Sequence, residues 1–434
     1  MVRDVEPQSS QHPTTERSIH DPTVPVVVVG GAPWNRFVNY SSVQTVRELG
    51  HRRDVLYVCS DSQAALPERV RGLLGQRPRR RLLRTLGDLE VRQVAPRVWV
   101  ASLGGIASIL PPSRPAIVRR YNLWRTRRVI RRWLAERGAD ECVLVMYWWF
   151  AADLVPRVPH VRAIYDVADE HAAYPGSSLK PALVRRLEGR LLDAVDHSMA
   201  VSPALVPPRE GPGRRIVVAP SGFDGELFDE LVGDDPTVPD YVVDPGRPVI
   251  ASVGALGGRV DVDLVLEIIR RRPEWTFVFI GFDADGAVPG LRDLPNVRLP
   301  GGTPYAEGLR AMGGLDAAII PFNHTDFTRG NSPLKVLDHL AQGIPVVTPD
   351  LPDFRALAED VPGSVTLAEG VDAWLAALDA AVAEPADSPL RDARRDLIRR
   401  RSVRRRVTAL LEGREPSYRD PVDRGADGGG SGGG

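Results

Sequence analysis

PVVVVGGAPW runs from Pro25 to Trp34. Four consecutive valines suit a strand covered on both faces, because a half-exposed strand alternates apolar and polar residues. The run ends on Gly30-Gly31, where missing Cβ atoms let the chain turn tightly and let a ligand approach the backbone. The next segment, YSSVQTVRELG (40–50), predicts a helix capped by Ser41 or Ser42 and stopped at Gly50. DVLYVCS (54–60) predicts a second strand. Strand, helix and strand in this order open a doubly wound parallel sheet.

The alternation continues. Strands are predicted at RVWVASL (97–103), ECVLVMYWW (141–149), VRAIYDV (161–167), HSMAVS (197–202) and RIVVAPSG (215–222), with helices at 119–137 and 183–196. A Gly- and Pro-rich stretch, GDDPTVPDYVVDPGRP, then intervenes, and the pattern restarts at PVIASVGALGG (248–258). It runs on through DVDLVLEIIRRRP, WTFVFIG, NVRLPGG, PYAEGLRAMGG, DAAIIPF, GNSPLKVLDHLAQG and IPVVTPD. The expected fold class is therefore α/β, with two Rossmann-like doubly wound domains facing across a cleft. The expected division is a disordered leader over 1–22, a first domain over 23–228, a linker over 229–247, a second domain over 248–388, one basic helix over 389–413 and a flexible Gly-rich tail over 414–434. Ligands of such sheets bind beyond the C-terminal strand ends. That points to the loops after Val29, Tyr165, Val253, Ile280, Phe322 and Val347.

Composition excludes several classes. The 434 residues hold 56 basic and 56 acidic side chains, so no global charge recruits nucleic acid. No apolar run reaches the roughly 18 residues of a membrane span, and the N-terminus lacks the apolar core of a signal peptide. The expected compartment is the cytoplasm. The two cysteines, Cys59 and Cys142, lie in apolar strands and read as core residues rather than a disulfide.

Lysine is scarce: Lys180 and Lys335 are the only two among 56 basic residues. Lys335 sits in the first turn of a predicted helix in GNSPLKVLDHLAQGIPVV (330–347), with Ser332 as expected N-cap and Pro333 at the first helical position. A helix N-terminus already carries about half a positive charge, so a cation there is misplaced unless an anion joins it. Lys335, Asp338, His339 and Gln342 fall on one face, and Leu334, Leu337, Leu340 and Ala341 on the other. A solvated Lys335–Asp338 pair is the plain reading. The alternative is an anion site at the edge of a sheet, where amide N–H groups and an ammonium meet a diphosphate and Asp338 accepts from a ribose diol.

SPLKVLDHLAQGIPVV resembles the nucleotide-sugar motif of GT-B glycosyltransferases in the family 4-like group, P-x-K-x-x-E-Y-x-A-x-G-x-P-V-V. The segments at 252–281 and 294–322 are similar to the opening of that family's C-terminal domain, and VVAPSGFDGELF (217–228) is similar to the end of its first domain. VLYVCSD and AIYDVADEHAAYPG resemble the teichuronic-acid-type subgroup, and the likeness covers roughly Val24 to Pro385. The resemblance implies a retaining transfer from a nucleoside diphosphate sugar, with the donor on the second domain and the acceptor on the first. It implies that Asn331, Ser332, Lys335 and Arg259 hold the diphosphate, that Asp338 grips the ribose, and that Gly254 and Gly281 let backbone approach the donor. Three positions depart from the pattern: Asp338 is shorter than glutamate, Ser221 replaces asparagine, and Gly330 stands where many relatives have an acid.

Other chemistry stays open. YDVADEH places Asp166, Asp169, Glu170 and His171 beyond a strand, where Asp169 or His171 would assist an acceptor hydroxyl, or the group is a turn and cap cluster. Gly30 and Gly31 make room for a phosphate or serve the turn alone. Trp148 and Trp149 stack on a sugar or fill core. The D-x-D pairs Asp261/Asp263 and Asp283/Asp285 read as cap and turn residues rather than metal ligands, so no metal and no resident cofactor is expected. The arginines of 119–132 form a solvated face or a peripheral contact with anionic lipid. The expected partners are a nucleotide-sugar donor and a glycan, glycolipid or small-molecule acceptor. Two other functions fit the same reading: a non-catalytic nucleotide-sugar-binding scaffold, and a sugar-nucleotide epimerase.

Overall fold

The computed structural model describes residues 19–34, 39–59, 90–102, 116–233, 237–254, 256–281 and 289–418. The expected leader residues 1–18, the tail 419–434 and the pair Asp283/Asp285 lie outside these. The first domain contains β1 (Val26–Val29), α1 (Ser41–Gly50), β2 (Val55–Cys59), β3 (Val91–Ala95), β4 (Val98–Ser102), α2 (Ala116–Ala135), β5 (Cys142–Met146), β6 (His160–Val167), α3 (Pro181–Leu192), β7 (His197–Ala200) and β8 (Ile216–Val218). Then follow α4 (Gly225–Val232), β9 (Val249–Val253), α5 (Val262–Arg271), β10 (Thr276–Ile280), α6 (Pro289–Arg292), β11 (Val297–Gly301), α7 (Tyr305–Met312), β12 (Ala317–Ile319), α8 (Asp326–Arg329) and α9 (Leu334–Ala341). The chain ends with β13 (Val346–Thr348), α10 (Pro352–Asp360), β14 (Val365–Leu367), α11 (Val371–Val382), α12 (Pro389–Arg400) and α13 (Val403–Glu412).

Two sheets result, one of eight strands in the order β3-β4-β2-β1-β5-β6-β7-β8 and one of six in the order β11-β10-β9-β12-β13-β14. All pairings are parallel except β3 with β4. The valine run explains the first sheet. Val27 and Val29 enter one core and Val26 and Val28 the other, so both faces of β1 are covered. Phe277 and Phe279 are divided from Val278 and Ile280 in the same way. Both sheets reverse strand order beside their first strand, at β1/β5 and at β9/β12. Those two reversals are where an open α/β sheet leaves its crevice.

The sequence reading needs correction in the caps and at the ends. Neither Ser41 nor Ser42 caps α1; Tyr40 stands at its start, and Ser42 Oγ accepts from the Ala32 N–H at 3.2 Å. Residues 229–247 are no free linker, since Val232, Val238, Tyr241 and Val242 pack into the second domain's core. Residues 389–413 form two helices, α12 and α13, broken at Arg401–Ser402. Leader residue Ile19 is tied down by Arg53, whose guanidinium donates to the Ile19 carbonyl at 2.5 Å. At the other end the Tyr418 hydroxyl donates to the Pro220 carbonyl at 3.1 Å. Cys59 and Cys142 are both buried and form no disulfide, as the sequence suggested.

The break between α12 and α13 returns the chain to the first domain. The Phe223 N–H donates to the Arg401 carbonyl at 2.8 Å and the Val403 N–H to the Phe223 carbonyl at 2.9 Å, so the outgoing and returning crossings are laced together. On α13, Arg406 donates to both Asp166 oxygens at 2.9 and 2.7 Å, and Tyr147 adds a third bond at 2.6 Å. Asp166 therefore lies in a closed core network and does not face the cleft. Removing one partner of a buried pair strands the other charge, at about 3–5 kcal/mol. Arg406→Ala should lose that much on urea denaturation, whereas Arg399→Ala, at an exposed pair with Asp396, should lose less than about 1 kcal/mol.

Candidate nucleotide-sugar site

The crevice of the second sheet is built by the loops after β9 and β12 and by the start of α9. Gly254, at the end of β9, has φ +121, and a Cβ there would stand 3.4 Å from Lys335 Cδ. The Lys335 ammonium lies 4.8 Å from the centroid of the Phe322 ring. Lys335 thus spans the β9/β12 reversal. Burial and the neighbouring Arg259 guanidinium push its pKa down to about 7. Arg259 lies in the loop after β9, with its guanidinium 5.3 Å from the Phe327 ring centroid. It influences Asp169, Tyr40 and Lys335 electrostatically, which sets it between the domains. Among the described residues neither cation has an ion-pair partner, and no side chain caps α9. A helix start without a side-chain cap, its own first-turn lysine and the charge of Arg259 therefore act on one neighbourhood.

Ser332 does not play the capping role read from the sequence. Pro333 is the N-cap, and the Ser332 hydroxyl is buried in protein bonds. It donates to Asp353 Oδ2 at 2.9 Å and accepts from the Ser221 N–H at 2.9 Å and from Arg401 Nη2 at 3.2 Å. The Ser221 hydroxyl in turn donates to the Ser332 carbonyl at 2.7 Å. The residue that departs from the resembling motif is thus the one that ties the interdomain turn to the helix start.

Asp338 lies in the same crevice at 4% exposure, and burial raises its pKa to about 7. Its Oδ1 accepts from the Tyr305 hydroxyl at 2.9 Å, and that hydroxyl accepts from Asn39 Nδ2 at 2.9 Å. Asn39 belongs to the first domain, so the chain Asn39–Tyr305–Asp338 crosses the cleft. His339, read as lying on the polar face, is fully buried, neither ring nitrogen has a partner among the described residues, and burial lowers its pKa to about 3. Tyr305 and Asn39 were missed as site residues because each is far from the motif in sequence.

From the first domain, Asp169 accepts from Asn331 Nδ2 at 3.1 Å. Burial lifts its pKa to about 6, with Arg259 pulling the other way. Asn331 Oδ1 is buried with no donor among the described residues. His171 lies 6.0 Å from the Trp149 ring and is held neutral by burial, with a pKa near 3. Glu170 is taken by Arg209, which donates to it at 2.8 Å and to Glu188 at 3.0 Å. A Cβ on Gly330 would meet Leu205 Cδ2 at 2.6 Å, so a side chain from the first domain occupies the place of the missing acid.

Gly30 and Gly31 have φ +99 and +88, and their Cβ atoms would meet Trp148 at 2.6 Å and Ser42 at 2.3 Å. The room they make is taken by protein. Gly281 closes β10, its N–H donating to the Gly301 carbonyl at 2.9 Å. Asp261 is the N-cap of α5, accepting from the Leu264 N–H at 3.0 Å. Among the described residues no group of three or more His, Cys, Asp or Glu is arranged to hold a metal, and no helix is long and apolar enough to cross a membrane.

No family profile matches the chain. In sequence it is similar to the provisionally assigned teichuronic acid biosynthesis glycosyltransferase TuaH of Bacillus subtilis (strain 168), at 25% identity over 253 residues, 55% of this chain and 63% of TuaH. The chain thus spans less than two thirds of that relative's length. In structure it is similar to the Escherichia coli trehalose-6-phosphate protein bound with UDP-2-fluoro glucose, with TM-score 0.63, 10% identity and coverage of 89% of this chain and 98% of the other. It is also similar to the UDP-forming α,α-trehalose-phosphate synthase of Burkholderia xenovorans in complex with glucose-6-phosphate, with TM-score 0.59, 12% identity and coverage of 89% and 99%. The fold is the two-domain GT-B architecture of glycosyltransferases, and TuaH adds a sequence relationship to one of them.

Proposed function

We propose that the protein is a retaining glycosyltransferase that moves a sugar from a nucleoside diphosphate sugar to a glycan, glycolipid or small-molecule acceptor without a metal. One observation carries the reading: Lys335, in the first turn of α9 on the strand-order reversal of the second sheet, feels the Arg259 charge, and among the described residues neither cation has an ion-pair partner and no side chain caps the helix. Holding two uncompensated cations together costs stability, and a diphosphate relieves it.

In this reading the diphosphate lies against Lys335, Arg259 and the amides that begin α9. The bond to the sugar breaks as negative charge grows on the leaving phosphate, and fixed cations aimed there stabilise it without reorganising. They supply the charge that other transferases take from a divalent ion. Asp338 accepts from the ribose diol while Tyr305 holds its other oxygen. Asp169, facing the donor from the first domain, accepts the acceptor's proton or holds its hydroxyl. His171, kept neutral, positions Trp149 and the acceptor side. The retaining outcome rests on the family resemblance of 330–347. The protein would act in the cytoplasm, with the acceptor presented at the inner membrane face. The non-catalytic reading has one observation in its favour, the glycine at 330 covered by Leu205.

Incubation with a panel of nucleotide sugars, with and without acceptors, separates the readings. Nucleoside diphosphate release that requires acceptor is the expected result. Sugar inversion from donor alone would indicate an epimerase, and binding without release a scaffold. Lys335→Ala should weaken donor binding strongly without abolishing it.

Two further outcomes follow from the burial of these charges. Between pH 7 and 10.5 the unfolded chain holds a proton on Lys335 that the folded chain lacks, so the residue's contribution to stability rises with pH across that window. At neutral pH it is a cost, and Lys335→Met should raise the melting temperature while strongly weakening donor binding. The bound donor needs Lys335 charged and Asp338 ionised, and both titrate near 7. Donor affinity should therefore fall on both sides of neutrality, by up to about ten-fold per pH unit. Lys335→Ala should remove the alkaline limb of any residual binding and Asp338→Asn the acid limb, measured by calorimetry with the intact nucleotide sugar.

A further inference from the structure

The chain is neutral overall, yet α2 carries seven arginines and no acidic residue across its 20 positions. Its inner face is engaged: Val129, Ile130, Trp133 and Leu134 are buried in the first domain's core. Steps of three and four residues set Ile117, Arg120, Trp124, Arg128 and Arg131 on the opposite face. Ile117 is 77% and Trp124 51% exposed, the two most exposed large hydrophobic residues among those described. Tyr121 stacks on Trp124 at 6.0 Å and the Arg128 guanidinium lies 5.7 Å from the same indole, so the ring is held at the surface instead of folding into the core. Arg132 is paired with Glu136 at 2.9 Å, whereas Arg119, Arg120, Arg127 and Arg131 have no carboxylate partner among the described residues.

The placement matters. α2 is the crossover from β4 to β5, both parallel members of the first sheet, so it begins at the C-terminal edge of that sheet. That edge carries the cleft. Ile117, Arg120 and Trp124 occupy the half of the helix nearest it.

We propose that this face of α2 docks on an anionic lipid bilayer. A soluble polyanion would use the arginines and gain nothing from burying Ile117. A folded protein partner would gain Ile117 and Trp124 but would have to supply a matching row of carboxylates. A bilayer satisfies both halves of the surface: guanidinium groups bind lipid phosphates, and the isoleucine and indole enter the headgroup boundary. The proposal deepens the transferase reading, and rests on it only for the consequence that a lipid-linked acceptor is held beside the cleft. Membrane binding itself is independent of it.

Sedimentation of the full chain with phosphatidylcholine vesicles, with and without phosphatidylglycerol, tests it. Binding should be at least about ten-fold stronger with the anionic lipid and should fall about five-fold for each of Arg120→Gln and Arg131→Gln. The double change Ile117→Ser, Trp124→Ser, with no charge altered, should weaken it comparably while circular dichroism stays unchanged. Equal binding to neutral vesicles overturns the proposal, as does full binding by the Ile117→Ser, Trp124→Ser protein. Binding of dextran sulfate that survives the double change, with no binding to vesicles, would assign the face to a soluble polyanion instead. Donor binding measured without vesicles should be the same in all these variants, so its loss would count against the cleft reading and not against this one.

Discussion

The knot at Ser332 governs the architecture. Its hydroxyl joins Ser221 of the first crossing, Asp353 of α10 and Arg401 of the returning crossing, and Arg401 also donates to the Ser221 carbonyl at 3.0 Å. Asp353 and Arg401 are both buried and lie 2.5 Å apart. A buried ion pair is worth keeping only when its remaining hydrogen-bonding capacity is met, and here two serines meet it. The consequence is positional. Ser332, two residues before α9, is fixed to both passages between domains, so the start of that helix is referenced to the first domain as well as the second.

That fixed frame lets the crevice hold unfavourable electrostatics. Burial depresses the readiness of Lys335 to carry charge, and the neighbouring Arg259 guanidinium adds to that cost. Asp338 and Asp169 are pushed in the opposite sense by burial. In a core such groups would be paired, as Asp166 is with Arg406 and Glu170 and Glu188 are with Arg209. The contrast is informative because it occurs within one short segment: Asp166 and Glu170 are neutralised by structure, and Asp169 between them is directed at the gap. Perturbed groups that remain uncompensated mark a place prepared for something else to supply the missing charge.

The two domains also meet through contacts that a ligand would have to share. Asn39 reaches Tyr305, Asn331 reaches Asp169, and Leu205 covers Gly330. Leu205 gives a physical account of the departure at 330. The glycine is not demanded by its own backbone, which is right-handed with φ −82 and ψ −5. The neighbour accounts for it instead, since a Cβ at 330 would stand 2.6 Å from Leu205 Cδ2 and that side chain would have to shift.

Much was legible from sequence alone. Runs such as Val26–Val29 and Thr276–Ile280 fix a two-faced parallel sheet, because burial on both faces leaves no room for alternation. The spacing around Lys335 and the signals of Gly254, Gly343 and Pro345 place a cation at a helix start beside a sheet edge, because these effects are local. Side-chain commitments were not legible. Ser332 and Ser42 have good capping chemistry, yet each hydroxyl found a partner distant in sequence, and Pro333 and Tyr40 took the cap positions. Asp166 and Asp169 look alike in YDVADEH, and only the return of α13 with Arg406 separates a core residue from a cleft residue. Periodicity and backbone preference are decided within a few residues, whereas the partner of a polar group is decided by whichever element the fold brings against it. The sequence therefore determined the sheets and the charge at the cleft, and the tertiary structure decided which polar groups remain unpaired there.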